Sequence, residues 1–261
     1  MRRVFLVRHA SHDRLGQVLC GRMPDVSLSA QGRAEAEAMA TALARRLAPD
    51  LHTSPTEQDR APLLSLAGRW EEPEVAQDEA PRYPLPAPDS PGGGERTRLA
   101  PVIGGERTPR SGIRVLSSPQ TRSRETAAPL AQKLAAAIET ADEIDEIEFG
   151  AWTGRAFAEF ASDPAWVAWN AERATARPPG GESMGEVQAR ALRLLDRLGR
   201  EEAPPAILVS HADTIRAASL GVLGLSLDAY DRLVVAPASW SELALWPGGG
   251  RVVSINERVS P

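Results

Sequence analysis

Val4-Phe5-Leu6-Val7-Arg8-His9-Ala10-Ser11 is a short apolar run that stops abruptly at an arginine and a histidine. Four consecutive β-branched, aromatic or aliphatic residues read as a buried strand, and the side chains after its last apolar residue land at the strand's carboxyl edge. In open α/β sheets that edge is where ligands bind. A polar strand end is often only solvated, so the stretch takes its meaning from others like it. Two are present: Ile113-Arg114-Val115-Leu116 runs into Ser117-Ser118-Pro119, and Ala206-Ile207-Leu208-Val209 runs into Ser210-His211.

Helical patterns separate these strands. Ser29 is placed to cap a helix that carries Ala36, Met39, Ala40, Leu43 and Leu47 at helical spacing and closes on arginines, where the helix dipole favours cations. A second helix is expected from about 120 to 137, with Ala127, Leu130, Leu134 and Ile138 on one face. Residues 155 to 174 look helical but are interrupted at Pro164, and Trp166 and Trp169 are spaced to share a face. An amphipathic helix follows from about Ser183 to Arg200, then a helix over 214–223, a strand over 232–236 and an antiparallel hairpin, 241–246 with 251–255, around Gly248-Gly249-Gly250. Strands alternating with helices predict an α/β fold whose largely parallel sheet is covered on both faces.

One segment breaks the pattern. Residues 51–111 hold ten prolines and six glycines but only nine Leu, Ile, Val or Phe, too little apolar surface to offset the entropy of ordering 61 residues. They are expected to form a flexible insertion in a single domain that spans 1–261. Within them Leu51 to Arg60 echoes Val115 to Arg124, with Gln58 at the place of Arg122.

Composition bounds the partners. Of 261 residues 42% are hydrophobic and 25% charged, ordinary for a globular chain, and the net charge of -5 argues against a general nucleic-acid binder. The single Cys20 excludes an intramolecular disulfide and a cysteine-built metal site. No run approaches the roughly 18 apolar residues of a membrane span, and the four that follow Met1-Arg2-Arg3 are too few for a secretory segment. The expectation is a soluble, cytoplasmic protein with no membrane partner.

If the three strands are parallel neighbours, Arg8, His9, Arg122 and His211 converge on one sheet edge. Guanidinium forks bind phosphate oxygens bidentately and stay charged at any working pH. A neutral imidazole with its other nitrogen fixed can attack phosphorus, a second can stabilise the transferring group, and a carboxylic acid can protonate the leaving alkoxide. The acidic loop Asp145-Glu146-Ile147-Glu148 offers that acid, with all three carboxylates as candidates. Arg124 lies two residues from Arg122 on the helix, so only one of them serves the pocket, and Arg124 is read as a surface charge. A metal held by His9, His12 and His211 would be repelled by the adjacent arginines. No cofactor is expected.

Val7-Arg8-His9-Ala10, Ser117-Ser118-Pro119 with Arg122 and Thr126-Ala127, Glu146 before Phe149-Gly150 with Trp152 and Gly154, Gly181-Glu182-Ser183, and Val209-Ser210-His211 together resemble the histidine phosphatase superfamily, the phosphoglycerate-mutase-like fold. The resemblance covers about 1–48 and 113–257. It implies a three-layer α/β/α sandwich and a metal-independent phosphohistidine intermediate. By the same resemblance His9 matches the nucleophile, Arg8 and Arg122 the phosphate clamps, His211 the second histidine and Glu146 the proton donor. Ala10 stands where the family usually has glycine. Mutases of the family carry serine and asparagine three and six positions beyond the nucleophile, and an arginine pair between 155 and 180. Here His12 and Leu15 occupy the first two places and the pair is missing, so a phosphatase of the acid-phosphatase type acting on a small phosphorylated metabolite is favoured over phosphoglycerate mutase chemistry. A non-catalytic phosphate-binding module is the reading from another class.

Overall fold

The structure, a computed structural model, describes residues 1–48, 112–201 and 203–259. The expected insertion and its internal echo lie outside them. Six strands form one sheet: β1 (Arg2–Arg8), β2 (Arg114–Ser117), β3 (Ile138–Thr140), β4 (Ala206–Ser210), β5 (Trp240–Trp246) and β6 (Gly249–Glu257), in the order β3-β2-β4-β1-β5-β6. The first four run parallel, while β5 and β6 add an antiparallel hairpin beside β1.

Strand pleating sends alternate residues to opposite faces, and both faces are covered. Phe5, Val7, Ile207 and Val209 pack under helices α1 (Ala30–Leu47) and α2 (Thr121–Leu134), with Met39, Leu43 and Leu130. Val4, Leu6, Ala206 and Leu208 pack under α4 (Met184–Arg200) and α5 (Ala212–Val222), with Leu194, Leu198 and Ile215. This is the expected α/β/α sandwich. The short helix α3 (Pro164–Ala171) belongs to a third, aromatic cluster that joins Phe149, Trp152, Phe160 and Trp169 to Met184 and Val187 of α4.

The sequence signals for helix starts hold at the atomic level. Ser29 Oγ accepts from the Gly32 amide at 3.0 Å. Ser183 caps α4 reciprocally with Glu186, whose carboxylate accepts from the Ser183 amide at 2.9 Å. Each such cap contributes about 1 kcal/mol. Before Pro164 the expected helix is replaced by a 3-10 turn, Phe157–Phe160, and Asp163 restarts α3 by accepting from the Ala165 amide.

Two elements differ from expectation. Helix α2 stops at Leu134, Ala135 turns left-handed, and Ile138 opens the short strand β3. The alanines between carry no packing pattern that could have marked the change. Residues 232–236 are not a strand: Arg232 ends a 3-10 turn, Leu227–Arg232, and both sides of β1 are taken by β4 and β5. Their carbonyls instead accept from arginines: Leu233 from Arg216 Nε at 2.8 Å and Val235 from Arg8 Nη1 at 2.6 Å.

Candidate active site

Register brings the three strand ends level. Arg8 pairs with Ser210 across β1 and β4, and Ser117 pairs with Val209 across β2 and β4. The bonds continue one residue past each end: the His9 amide donates to the Ser210 carbonyl at 2.9 Å and the Ser118 amide to the Val209 carbonyl at 3.0 Å. His9 and His211 therefore stand side by side, ring centroids 5.1 Å apart. The loop after His9 is docked on the start of α1, where Ser11 O accepts from the amide and the hydroxyl of Ser29. Gly32 makes that docking possible, since a Cβ there would sit 1.8 Å from Ser11 O. Ala10 is buried with a φ outside the left-handed region, so the alanine costs the turn nothing, and its amide donates to Thr126 Oγ1 at 3.0 Å.

The histidines are held in defined tautomers. His9 Nδ1 lies 2.9 Å from the Ala10 carbonyl, which can only accept, so Nδ1 carries the proton and Nε2 keeps its lone pair. Burial and the Arg122 and Arg8 charges keep its pKa well below the usual histidine value. His211 is fully buried. Ser118 Oγ donates to Asp145 Oδ1 at 2.9 Å, accepts from the Gln120 amide, and so accepts from His211 Nε2–H at 2.8 Å. That leaves His211 Nδ1 bare to accept from Arg122 Nη2 at 3.2 Å. Burial first, then Arg122 and His9, keeps this ring neutral as well.

Arg122 is buried and Arg8 half-buried, and both have buried donors in excess. Arg122, in the first turn of α2, donates from Nη2 to Gly21 O at 2.6 Å, while its Nε and Nη1 have no partner. Arg8 is fixed through Nη1, and its Nε is likewise unpartnered. Burial pulls the pKa of both down, and Glu146 is among the groups opposing it. Buried guanidinium N–H groups without acceptors are costly unless an anion completes them.

Of the three acidic candidates, Glu146 alone lines the cavity of about 350 Å³ that also holds Arg8, His9, His12 and Arg122. Its pKa is pushed up to about 8 by burial and by the Asp213 charge, against the pull of Arg122. A carboxyl group protonated at neutral pH can donate a proton. Asp145 is occupied with Ser118, Gln120 and the Glu146 amide. Glu148 turns to the Gly150 amide. Arg124 is on the surface against Thr140 Oγ1. Trp152 and Trp169 are core, 2% and 1% exposed, and Trp166 packs partly buried against them.

Several residues of the site escaped the sequence reading. Arg22 and Arg190 both donate to the Glu146 carbonyl, at 2.8 and 3.1 Å, and both pair with Glu182. Gly181-Glu182-Ser183 was quoted as a motif without this role. Gly150 permits the turn beside it, because a Cβ would lie 2.2 Å from Pro179 O and φ is +51°. Asp213, also on the cavity wall, accepts from the Tyr230 hydroxyl and lies 3.7 Å from Arg216. Only Asp213, two residues after His211, carried a signal that sequence could have offered, its place in the first turn of the helix that follows a strand-end histidine.

Comparison with known proteins agrees with this geometry. The chain is 39% identical over 118 residues to a bifunctional protein of Mycobacterium tuberculosis, a match that takes in 44% of this chain and 31% of that protein. The chain thus spans about a third of the length of that relative. It is 31% identical over 168 residues to the glucosyl-3-phosphoglycerate phosphatase of M. tuberculosis, covering 59% of this chain and 74% of that one. The solved structure of the mycobacterial glucosyl-3-phosphoglycerate phosphatase superposes with a TM-score of 0.66 at 23% identity over 99% of this chain and 100% of that one. A phosphoserine phosphatase of Entamoeba histolytica, as its H9A mutant with phosphoserine, superposes with a TM-score of 0.65 at 17% identity and 98% coverage of both chains. The family model of the histidine phosphatase superfamily (branch 1) matches residues 4–80 and 104–258, a span that contains all three strand ends and the carboxyl group facing them, and the chain belongs to that superfamily.

Proposed function

We propose that the protein is a phosphomonoester hydrolase of the acid-phosphatase type that works through a phosphohistidine on His9 and takes a small phosphorylated metabolite in the cytoplasm. The observation that carries this is the His9 ring, fixed through Nδ1 with Nε2 free, in one cavity with two arginines that keep unused buried donors and with Glu146, whose pKa is raised to about 8. Unpartnered Arg8 and Arg122 donors receive the phosphoryl oxygens. His9 Nε2 attacks phosphorus and the ester P–O bond breaks. Glu146 gives its proton to the departing oxygen, so the alcohol leaves neutral. Water then attacks the phosphohistidine, passes a proton to ionised Glu146, and phosphate departs as the P–N bond breaks. His211, its Nε2–H engaged by Ser118, acts through Arg122, which its Nδ1 holds in place to meet the charge gathered on the transferring group. No step calls on a metal. Similarity to glucosyl-3-phosphoglycerate phosphatase supports hydrolysis over mutase transfer, as does Leu15 on the cavity wall, whose side chain offers a returning phosphate no hydrogen bond.

The test is to trap the intermediate. Brief mixing with a radiolabelled phosphate ester and quenching in alkali should leave acid-labile label on the wild-type chain, and His9→Ala should carry none and turn over no ester. Label retained by His9→Ala would overturn the assignment.

A further inference from the structure

The cavity lining also has an apolar part for which phosphate binding has no use, made by Leu15, Val18, Leu19, Phe149 and Phe157. This wall is backed by rings: Phe149 meets Trp169 edge-on at 5.7 Å and Phe157 meets Trp166 at 6.3 Å. Leu19 and Phe149 also belong to the buried aromatic cluster, so the wall is built before any ligand arrives.

Charge on the lining is equally selective. Among the described residues that line the cavity the cations are Arg8 and Arg122, both facing the phosphate position. Glu146 is protonated, His12 is held neutral by burial and the two arginines with a pKa of about 4, and the remaining charge is the Asp213 carboxylate. Arg14 is exposed, off the lining, and donates to Met23 Sδ at 3.1 Å. A carboxylate on the leaving group would find no third cation on this lining and would share the cavity with Asp213, whereas a site that selects a polar group must pair it.

We propose that the wall of Leu15, Val18, Leu19, Phe149 and Phe157 selects phosphomonoesters of uncharged alcohols that present an aromatic or branched aliphatic face, and that it disfavours esters carrying a carboxylate beside the phosphate. The inference rests on the hydrolase reading above and adds the class of alcohol.

The test uses the full chain and primary alkyl esters of similar leaving-group basicity: 2-phenylethyl phosphate, glycerol 1-phosphate, 3-phosphoglycerate and phosphoserine. The expected kcat/KM for the phenylethyl ester exceeds that for glycerol 1-phosphate by about tenfold or more, and the two carboxylated esters fall below both. Phe157 is 38% exposed, so truncating it spares the core. Phe157→Ala should bring the phenylethyl-to-glycerol ratio close to one, Phe157→Leu should keep part of it, and Phe157→Arg should raise 3-phosphoglycerate relative to the phenylethyl ester. Equal rates for the phenylethyl and glycerol esters in wild type, or 3-phosphoglycerate turned over best, would overturn this inference and leave the hydrolase standing. No turnover of any ester together with no label on His9 would overturn the hydrolase reading and this one with it.

Discussion

The two halves of the cavity are built differently. The polar end is assembled around strand ends held in register, where the His9 and Ser118 amides continue the ladder one residue past the sheet and Arg122 is held by Gly21 O and His211. The apolar wall is assembled from the loop over 12–23 and the 3-10 turns near Gly150–Trp152 and Phe157–Phe160, tied by one short antiparallel bridge, Val18 with Ala156, through Leu19 N to Arg155 O at 2.9 Å and Phe157 N to Gln17 O at 3.0 Å. A sheet edge gives reproducible positions for chemistry, while loops over an apolar cluster allow the wall to vary without moving the chemistry. The difference assigns rate to one half and substrate choice to the other.

That division can be broken by mutation. The largest effect is expected at Glu146→Gln, which removes the proton donor and should lower kcat toward primary alkyl esters by about 10²- to 10⁴-fold. Wild-type activity should hold across acidic and neutral pH, because His9 is kept neutral there, and fall as pH rises through about 8, where Glu146 loses its proton. That alkaline limb should be missing from the residual activity of Glu146→Gln, and a limb that survives would mean another group sets it. Arg122→Ala removes the donors aimed at the phosphoryl oxygens and should cost roughly 10²- to 10³-fold in kcat/KM, about equally for every ester. A loss confined to one ester would place Arg122 in alcohol recognition instead. Ser118→Ala cuts the link from Asp145 to His211 and should lower kcat by about tenfold with little change in KM. The smallest effect is expected at the wall: Val18→Ala should raise KM by about threefold for an ester that reaches it and leave kcat nearly as it was. A large fall in kcat there would erase the distinction between the halves.

Sequence legibility follows the same line. Strand ends are written in consecutive residues, so Arg8, His9 and His211 could be read from apolar runs that stop, and Arg122 from its place one turn into a helix. Glu146 could be separated from Asp145 and Glu148 by resemblance but not by spacing, because three acids in an irregular loop carry no period to say which faces inward. In the structure Asp145 is drawn to Ser118 and Gln120, Glu148 to the Gly150 amide, and Glu146 is left to the cavity. The misread strand at 232–236 has a related cause. Its apolar run satisfies the local rule, yet whether such a run pairs depends on an open neighbour, and β4 and β5 already flank β1.

By itself the chain of residues determined the alternation of strand and helix, the positions of the caps and the identity of the strand-end side chains, since these depend on neighbours within a turn or a pleat. Tertiary structure alone decided the order β3-β2-β4-β1-β5-β6, the raised pKa of Glu146 and which apolar side chains share a cavity with the strand ends. The physical reason is range. Propensity and periodicity act over a few residues, whereas burial, field and cavity shape are sums over groups that folding brings together from more than a hundred residues apart.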